Sequence, residues 1–262
     1  MKRFETNRFQ TFYQEKRYLS LKKALYNYRL RRMAVEGRLK KARISLALEV
    51  GCGISPVMTR SRRVVYSDLS FTAMQSLKRD HLDHQFVVAD AMDLPFRPGS
   101  FSHVIASEVL EHLEQDQAAL SEFKRVLGDA GRLVLTFPHR NAYFAADDRF
   151  VAHFRRYELK QMQSLLEHTG LVPVAWRKVL GPLEKITMWC IVWAYARLHP
   201  PRVPAASQGR PHPLGGVFRT VFVWSNVVLA SLAWVDARLT PRPLAAVLLV
   251  EAVLPPNVPS GR

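Results

Sequence analysis

The sequence predicts an α/β fold. One doubly wound, seven-stranded sheet carries helices on both faces, an N-terminal helical arm precedes it, and a hydrophobic helical insertion separates strands six and seven. Three observations predict this. From Ile44 onward, short apolar runs alternate with helical stretches, the pattern of strands joined by crossover helices in a parallel sheet. The first run ends in a glycine pair, Gly51 and Gly53, and the next runs end in acidic residues, Asp68 and Asp90. Finally, 262 residues that are 48% hydrophobic and 23% charged make one large domain or one with attachments, and exclude wholesale disorder or a rod.

The arm, residues 1–43, holds 14 Lys/Arg against 3 Asp/Glu, within a chain of formal charge +16. Phe9, Phe12, Tyr13, Leu19, Leu21, Leu25, Tyr28, Leu30 and Met33 recur at roughly helical spacing, so residues 8–41 read as helix, interrupted at Gly37. Such an arm suits phosphate-bearing partners (anionic lipid, nucleic acid, a phosphorylated substrate) or is simply a solvated helix face.

The core, residues 44–180, follows. Strands are expected at Ile44–Val50, Arg63–Ser67, Gln85–Ala89, His103–Ser107, Arg132–Phe137 and Leu171–Val179, with a seventh at Leu244–Val253 in the last segment, 244–262. Helices are expected near 70–80, at 115–127 closed by Gly128 and Gly131, and at Glu158–Thr169 ended by Gly170. Ser55-Pro56 reads as an N-cap and first helical residue, opening a crossover helix of one or two turns. Two cysteines, Cys52 and Cys190, give no disulfide framework. With a polar, basic start and no signal-peptide pattern, the expected location is cytoplasmic, peripheral on the inner face of the membrane.

The insertion, residues 181–243, contains two runs that are apolar almost all round, Ile186–Ala196 and Thr220–Val235, joined by a Pro-, Gly- and Arg-rich linker at His199–Gly216. Trp189, Trp193, Trp224 and Trp234 lie there, and Arg197, Arg202, Arg210, Arg219, Arg238 and Arg242 flank the runs. Trp with nearby Arg is the composition of a membrane–water interface. The uncharged runs fall short of the roughly 18–20 residues of a span, so surface-lying or re-entrant helices are expected. A lid or dimer face, or two true spans, are the other readings.

Chemistry concentrates at the strand ends. Glycines in Leu48-Glu49-Val50-Gly51-Cys52-Gly53-Ile54-Ser55 let the backbone turn tightly and approach a ligand at the carboxyl edge of the sheet. Asp68 closes the next strand 17 residues after Gly51, where a carboxylate grips ribose hydroxyls. Asp90 precedes Leu94-Pro95-Phe96, and the fourth strand runs into Ser107-Glu108-Val109-Leu110-Glu111-His112-Leu113. With this ordered set, residues 46–180 resemble the class I S-adenosylmethionine-dependent methyltransferases of the broad type 11 kind, about half the chain. The resemblance implies a Rossmann-like methyltransferase sheet and S-adenosyl-L-methionine as cofactor. Glu49, Gly51, Cys52 and Gly53 would line its methionine part. Asp68 would hold the ribose with Leu69 beside the adenine. Asp90, flanked by Ala91 and Met92, would hold the adenine amine, and Ser107 and Glu108 would close the site near the sulfonium. Ser55 replaces the usual third glycine.

A neutral acceptor must lose a proton, so a base or metal is expected. Glu108-x-x-Glu111-His112 followed by His153 looks like the metal site of the ubiquinone-pathway O-methyltransferases and of the small-RNA 3′-end 2′-O-methyltransferases. That would place a divalent ion, Mg or Zn, on Glu108, Glu111, His112 and His153. Without metal, His112, His139 or His153 is the candidate base. The expected function is O-methylation of a hydrophobic, small-molecule or lipid-linked acceptor at an anionic membrane surface. RNA 2′-O-methylation and a non-catalytic scaffold with this fold are the alternatives.

Overall fold

The computed structural model describes residues 23–59, 61, 63–80, 83–198 and 216–255. The predicted helix over 8–22, with Phe9, Phe12, Tyr13, Leu19 and Leu21, and the linker over 199–215 lie outside the described residues. Helix α1 (Tyr26–Leu39) opens the described chain; Leu25 is extended at its N-terminus, and the helix continues through Gly37. Then follow β1 (Ala47–Val50), β2 (Val64–Asp68), α2 (Phe71–Asp80), β3 (Gln85–Val88), β4 (Phe101–Ser107), α3 (Asp116–Val126) and β5 (Leu127–Pro138). The rest is α4 (Ala146–Phe150), α5 (Leu159–His168), β6 (Val172–Leu180), α6 (Leu183–Leu198), α7 (Gly216–Leu239) and β7 (Val247–Val253).

The sheet order is β3-β2-β1-β4-β5-β7-β6. The crossover connections make β1 to β5 parallel, as alternation requires. The seventh strand departs from an all-parallel reading: β7 runs antiparallel between β5 and β6. It follows α7 from the opposite end of the sheet, and its register pairs Val250 with Leu135.

Alternation of side chains across the pleat builds two cores. Leu48, Val50, Val104, Leu133, Leu135 and Phe137 face Leu120 and Phe123 of α3 and Met162 and Leu166 of α5. Ala47, Val64, Tyr66, Ile105 and Val134 face the other way, onto α1, Ala73, Met74 and Leu77 of α2, and Ala233 of α7. Glu251, in β7, is buried and takes Arg132 at 2.6 Å and the guanidinium of Arg38, which ties the end of α1 to the sheet.

Two local expectations fail for identifiable reasons. No helix forms between β1 and β2 among the described residues. Side chains claim the backbone there instead: Val57 and Met58 N–H donate to Glu49, Thr59 N–H to Glu36, and Tyr28 and Tyr66 hydroxyls donate to the Pro56 and Met58 carbonyls. Gly128 and Gly131 do not close α3; they sit in the opening of β5, where the pairing with β4 jumps from Leu127 to Arg132. A Cβ on Gly131 would lie 2.6 Å from the Gly128 carbonyl, so the bulge requires a residue without one.

The insertion forms α6 and α7. Asn226, Leu229, Ala230, Ala233 and Ala237 recur at helical spacing and lay one face of α7 on the domain. Asn226 Oδ1 accepts the Tyr26 N–H at 3.0 Å, pinning α7 to α1. Val221, Trp224, Val228, Leu232, Val235 and Leu239 line the opposite, exposed face. Thr220–Leu239 spans 20 residues of mean hydropathy 1.4, long and apolar enough to cross a membrane by length and composition, where the sequence reading put the uncharged run short of that.

Candidate active site

A cavity of about 450 Å³ runs along the carboxyl ends of β1, β2 and β4. α1 covers it with Asn27, Tyr28 and Arg31, and α6 contributes Glu184 and Met188. Of the residues assigned to a cofactor, Glu49, Gly51, Cys52, Asp68, Leu69, Asp90, Ala91, Ser107 and Glu108 line it. Gly53 and Met92 are not on its wall; their backbone N–H groups instead donate to Asp68 Oδ2 at 2.8 Å and Asp90 Oδ1 at 2.9 Å.

The turn after β1 is set by space. Gly51 has φ of +66°, and a Cβ there would lie 2.5 Å from Val109 Cγ2. Only glycine takes this turn without strain or collision. Gly53, also at positive φ (+53°), turns its N–H onto Asp68, whose Oδ1 accepts the Ser70 N–H at 2.8 Å. These bonds aim the Asp68 carboxylate at the tip of β2, with Asp90 just past the tip of neighbouring β3. Two acceptor carboxylates beside a cradle with no room for a side chain fit a nucleoside with ribose hydroxyls and an adenine amine. Glu49 is wholly buried; burial pushes its pKa to about 7, against the two backbone N–H bonds it accepts.

The other end is built by β4, α4 and the loop after it. Glu108 directly follows β4 at φ +57°, a left-handed conformation that strains a residue with a Cβ, and pairs with Arg31 at 3.2 Å. Ser107 shares a hydrogen bond with Thr136 at 2.8 Å. Glu111 is fully enclosed and neither carboxylate oxygen has a hydrogen-bond partner. Burial, then the charge of Glu108, holds its pKa well above the usual range. His153 Nε2 lies 3.9 Å from Glu111, and its ring meets that of His112 edge-on at 4.6 Å. The Phe154 N–H donates to the Glu111 carbonyl at 2.8 Å, which holds the two segments together. Donor atoms of Glu111, His112 and His153 lie within 4.8 Å of one another. Glu108 stands outside that group, drawn off by Arg31.

His139 does not reach the cavity. It is buried, its Nδ1 faces the Ala245 carbonyl at 2.9 Å, and its Nε2 lies 3.9 Å from Glu158. His153 is differently placed: it lines the cavity, and its Nδ1 sits 3.0 Å from Asp148 Oδ1. Asp148 is a hub that the sequence reading missed. Burial alone would raise its pKa, but hydrogen bonds from His153 and Arg156, with the charge of Arg156, hold it well below the carboxylate range. Lys185 reaches it at 3.1 Å. The only sequence signal was an acidic pair, Asp147-Asp148, five residues before His153. Arg31 and Glu184 were also missed, because tertiary packing alone brings the arm and the insertion to the cavity.

Residues 48–135 match the family model described as "Methyltransferase domain". A Mycobacterium tuberculosis protein named "probable S-adenosylmethionine-dependent methyltransferase" is 28% identical over 134 residues, 49% of each chain. A demethylmenaquinone methyltransferase of Thermus thermophilus is 35% identical over 120 residues, 42% of this chain and 54% of that one. The chain thus matches about half the length of these relatives. A protein of Haloferax volcanii solved with the Trm112 methyltransferase activator and described as "the putative methyltransferase" superposes with a TM-score of 0.59 over 94% of this chain and 97% of that one, at 15% identity, a likeness of fold.

Gly51→Ala should abolish binding of S-adenosylhomocysteine in equilibrium dialysis and lower stability by about 1–3 kcal/mol; retained affinity would contradict the cradle. Stability should also fall as pH rises from 5 to 8. Glu49 and Glu184, both raised to about 7, bind protons in the folded state that the unfolded chain has already released. Each released proton contributes up to about 1.4 kcal/mol per pH unit. His103, kept neutral by burial, acts oppositely but is a single group. A lower urea midpoint at pH 8 than at pH 5 is expected, and a flat or rising one would contradict these burials.

Proposed function

Because the chain carries a class I S-adenosylmethionine-dependent methyltransferase domain, we propose that it methylates an oxygen of a hydrophobic or lipid-linked acceptor at a membrane surface. One observation carries this reading: α6 has two working faces. Glu184 and Met188 line the cavity, while Ile186, Trp189 and Trp193 on the same helix are exposed. The exposed row on α7 extends that apolar surface, and Arg238 sits over the Trp234 ring at 3.5 Å. A large exposed apolar patch with Trp and Arg suits the interface of an anionic bilayer. An acceptor dissolved in the bilayer then has a short path along α6 to the cavity. The demethylmenaquinone methyltransferase among the relatives adds support for a small apolar acceptor. The proposed placement is cytoplasmic and peripheral on the membrane surface.

S-adenosylmethionine supplies the methyl group on a sulfonium that accepts no help from the protein beyond position and dryness. Asp68 and Asp90 hold the nucleoside, and the backbone at Gly51 gives it room. α1 covers the cavity and excludes water, with Arg31 tied to Glu108. His153 Nε2 takes the proton from the acceptor hydroxyl. Asp148 accepts the Nδ1–H bond, fixes the ring's orientation and stabilises the imidazolium that forms. A second reading rests on the open donor set. Glu111, whose carboxylate lacks partners, with His112 and His153, would hold a Mg-like or Zn-like ion on which the acceptor oxygen loses its proton more readily.

The test supplies methyl-labelled cofactor to the protein with cell lipid extract in anionic vesicles. Label should enter the organic-soluble fraction, and Trp189→Gln/Trp224→Gln/Leu232→Gln should lose transfer from vesicles but keep it from detergent. Label entering total RNA in a parallel reaction, with none entering lipid, would overturn the acceptor class, and no transfer at all would favour a scaffold. His153→Gln should lower kcat roughly 10²–10⁴-fold, with partial recovery at high pH where the hydroxyl ionises itself. An unchanged kcat would remove His153 from proton transfer. Activity lost in EDTA and restored by Mg or Zn would select the metal reading over the unaided base.

A further inference from the structure

The acceptor end of the cavity carries more carboxylates than cations. Arg31 pairs with Glu108 at 3.2 Å, Arg156 with Asp148 at 2.8 Å, and Lys185 with Asp147 at 2.5 Å. Glu111 and Glu184 are left over. Glu111 is fully buried and is not on the cavity wall. Glu184 is on the cavity wall, 8% exposed, and its Oε2 is buried with no hydrogen-bond partner. Glu108 Oε1 is in the same position. A buried carboxylate oxygen without a donor is costly to maintain. Burial raises the pKa of Glu184 to about 7; Arg156 and Lys185 offset this only in part, and Asp147 and Glu108 add to it. Met188 lies one helical turn beyond Glu184 on the same wall, and Phe150 lines the cavity and is exposed to the outside.

We propose that Glu184, with Glu108, is the binding site for a protonated amine carried by the acceptor, whose apolar body lies along Met188 and Phe150. This rests on the methyltransferase reading and narrows its acceptor to an amine-bearing amphiphile. An ammonium has three donors and a full positive charge, which suits Glu184 on the cavity wall, whose Oε2 lacks a partner, with the Arg31-paired Glu108 lining the same cavity. It has no lone pair, so it serves as a handle, and the oxygen that receives the methyl group faces His153.

The experiment titrates octylamine, octanol and octanoate into the full chain at pH 8, with and without saturating S-adenosylhomocysteine. Octylamine should bind roughly tenfold or more tighter than octanol, the difference a charge-assisted hydrogen bond makes, and octanoate should bind most weakly. Glu184→Gln should bring octylamine level with octanol while leaving S-adenosylhomocysteine affinity unchanged, and Glu184→Asp should keep the preference. Equal binding of amine and alcohol, or a preference that survives in Glu184→Gln, would overturn the site. The affinity for S-adenosylhomocysteine, read separately, reports on the methyltransferase reading, so the two cannot be confused.

Discussion

The absence of a side chain after β1 is the constraint on which the site depends. Gly51 turns at positive φ against Val109 with no space for a Cβ. That turn lets Gly53 point its N–H at Asp68, and the same bond aims the Asp68 carboxylate along the tip of β2. Glu49 secures the far side by holding the loop of Val57 and Met58 through two backbone bonds. A parallel sheet brings the tips of β1, β2 and β3 to one edge, so one turn and two acids form a single cleft. The positions of these groups follow from the sheet; the direction of Asp68 follows from the glycine turn and that of Asp90 from the Met92 N–H.

The cleft is then closed by elements from outside the sheet. α1 lies over it and is tied down along its length, by Tyr26 to Asn226, Tyr28 to Pro56, Arg31 to Glu108, Glu36 to Thr59 and Arg38 to Glu251. Because Asn226 belongs to α7, the cover and the apolar surface helices are one packed layer. The Glu108 conformation at φ +57° is a local strain kept where its carboxylate meets both Arg31 and the cavity. His153 comes from a loop with Ala152 also at positive φ, held by Asp148 on one side and the Glu111 carbonyl on the other.

Much of this was legible in the sequence. Apolar runs of strand length mark the sheet, and Gly51, Asp68 and Asp90 mark the edge where the cavity lies, because strand ends are local features. What was not legible depends on contacts between distant segments. No crossover helix follows Ser55 among the described residues, because Glu36, Glu49, Tyr28 and Tyr66 satisfy that backbone from elsewhere in the chain. Gly128 and Gly131 carried a helix-stop signal, and pairing with β4 made them a bulge. His139 reads as a base beside a strand end, but the Ala245 carbonyl, just before β7, takes its Nδ1. Asp148 and Glu184 have no motif; only the folded cavity shows one as a partner of His153 and the other as a buried acid whose Oε2 lacks a hydrogen-bond partner.

The pocket at the strand tips is tested most directly by a crystal structure of the full chain with S-adenosylhomocysteine. The ribose hydroxyls should lie within hydrogen-bond distance of the Asp68 carboxylate, with the adenine between Leu69 and Ala91 and its amine toward Asp90. A nucleoside bound elsewhere, or facing away from both acids, would contradict the assignment of this cleft.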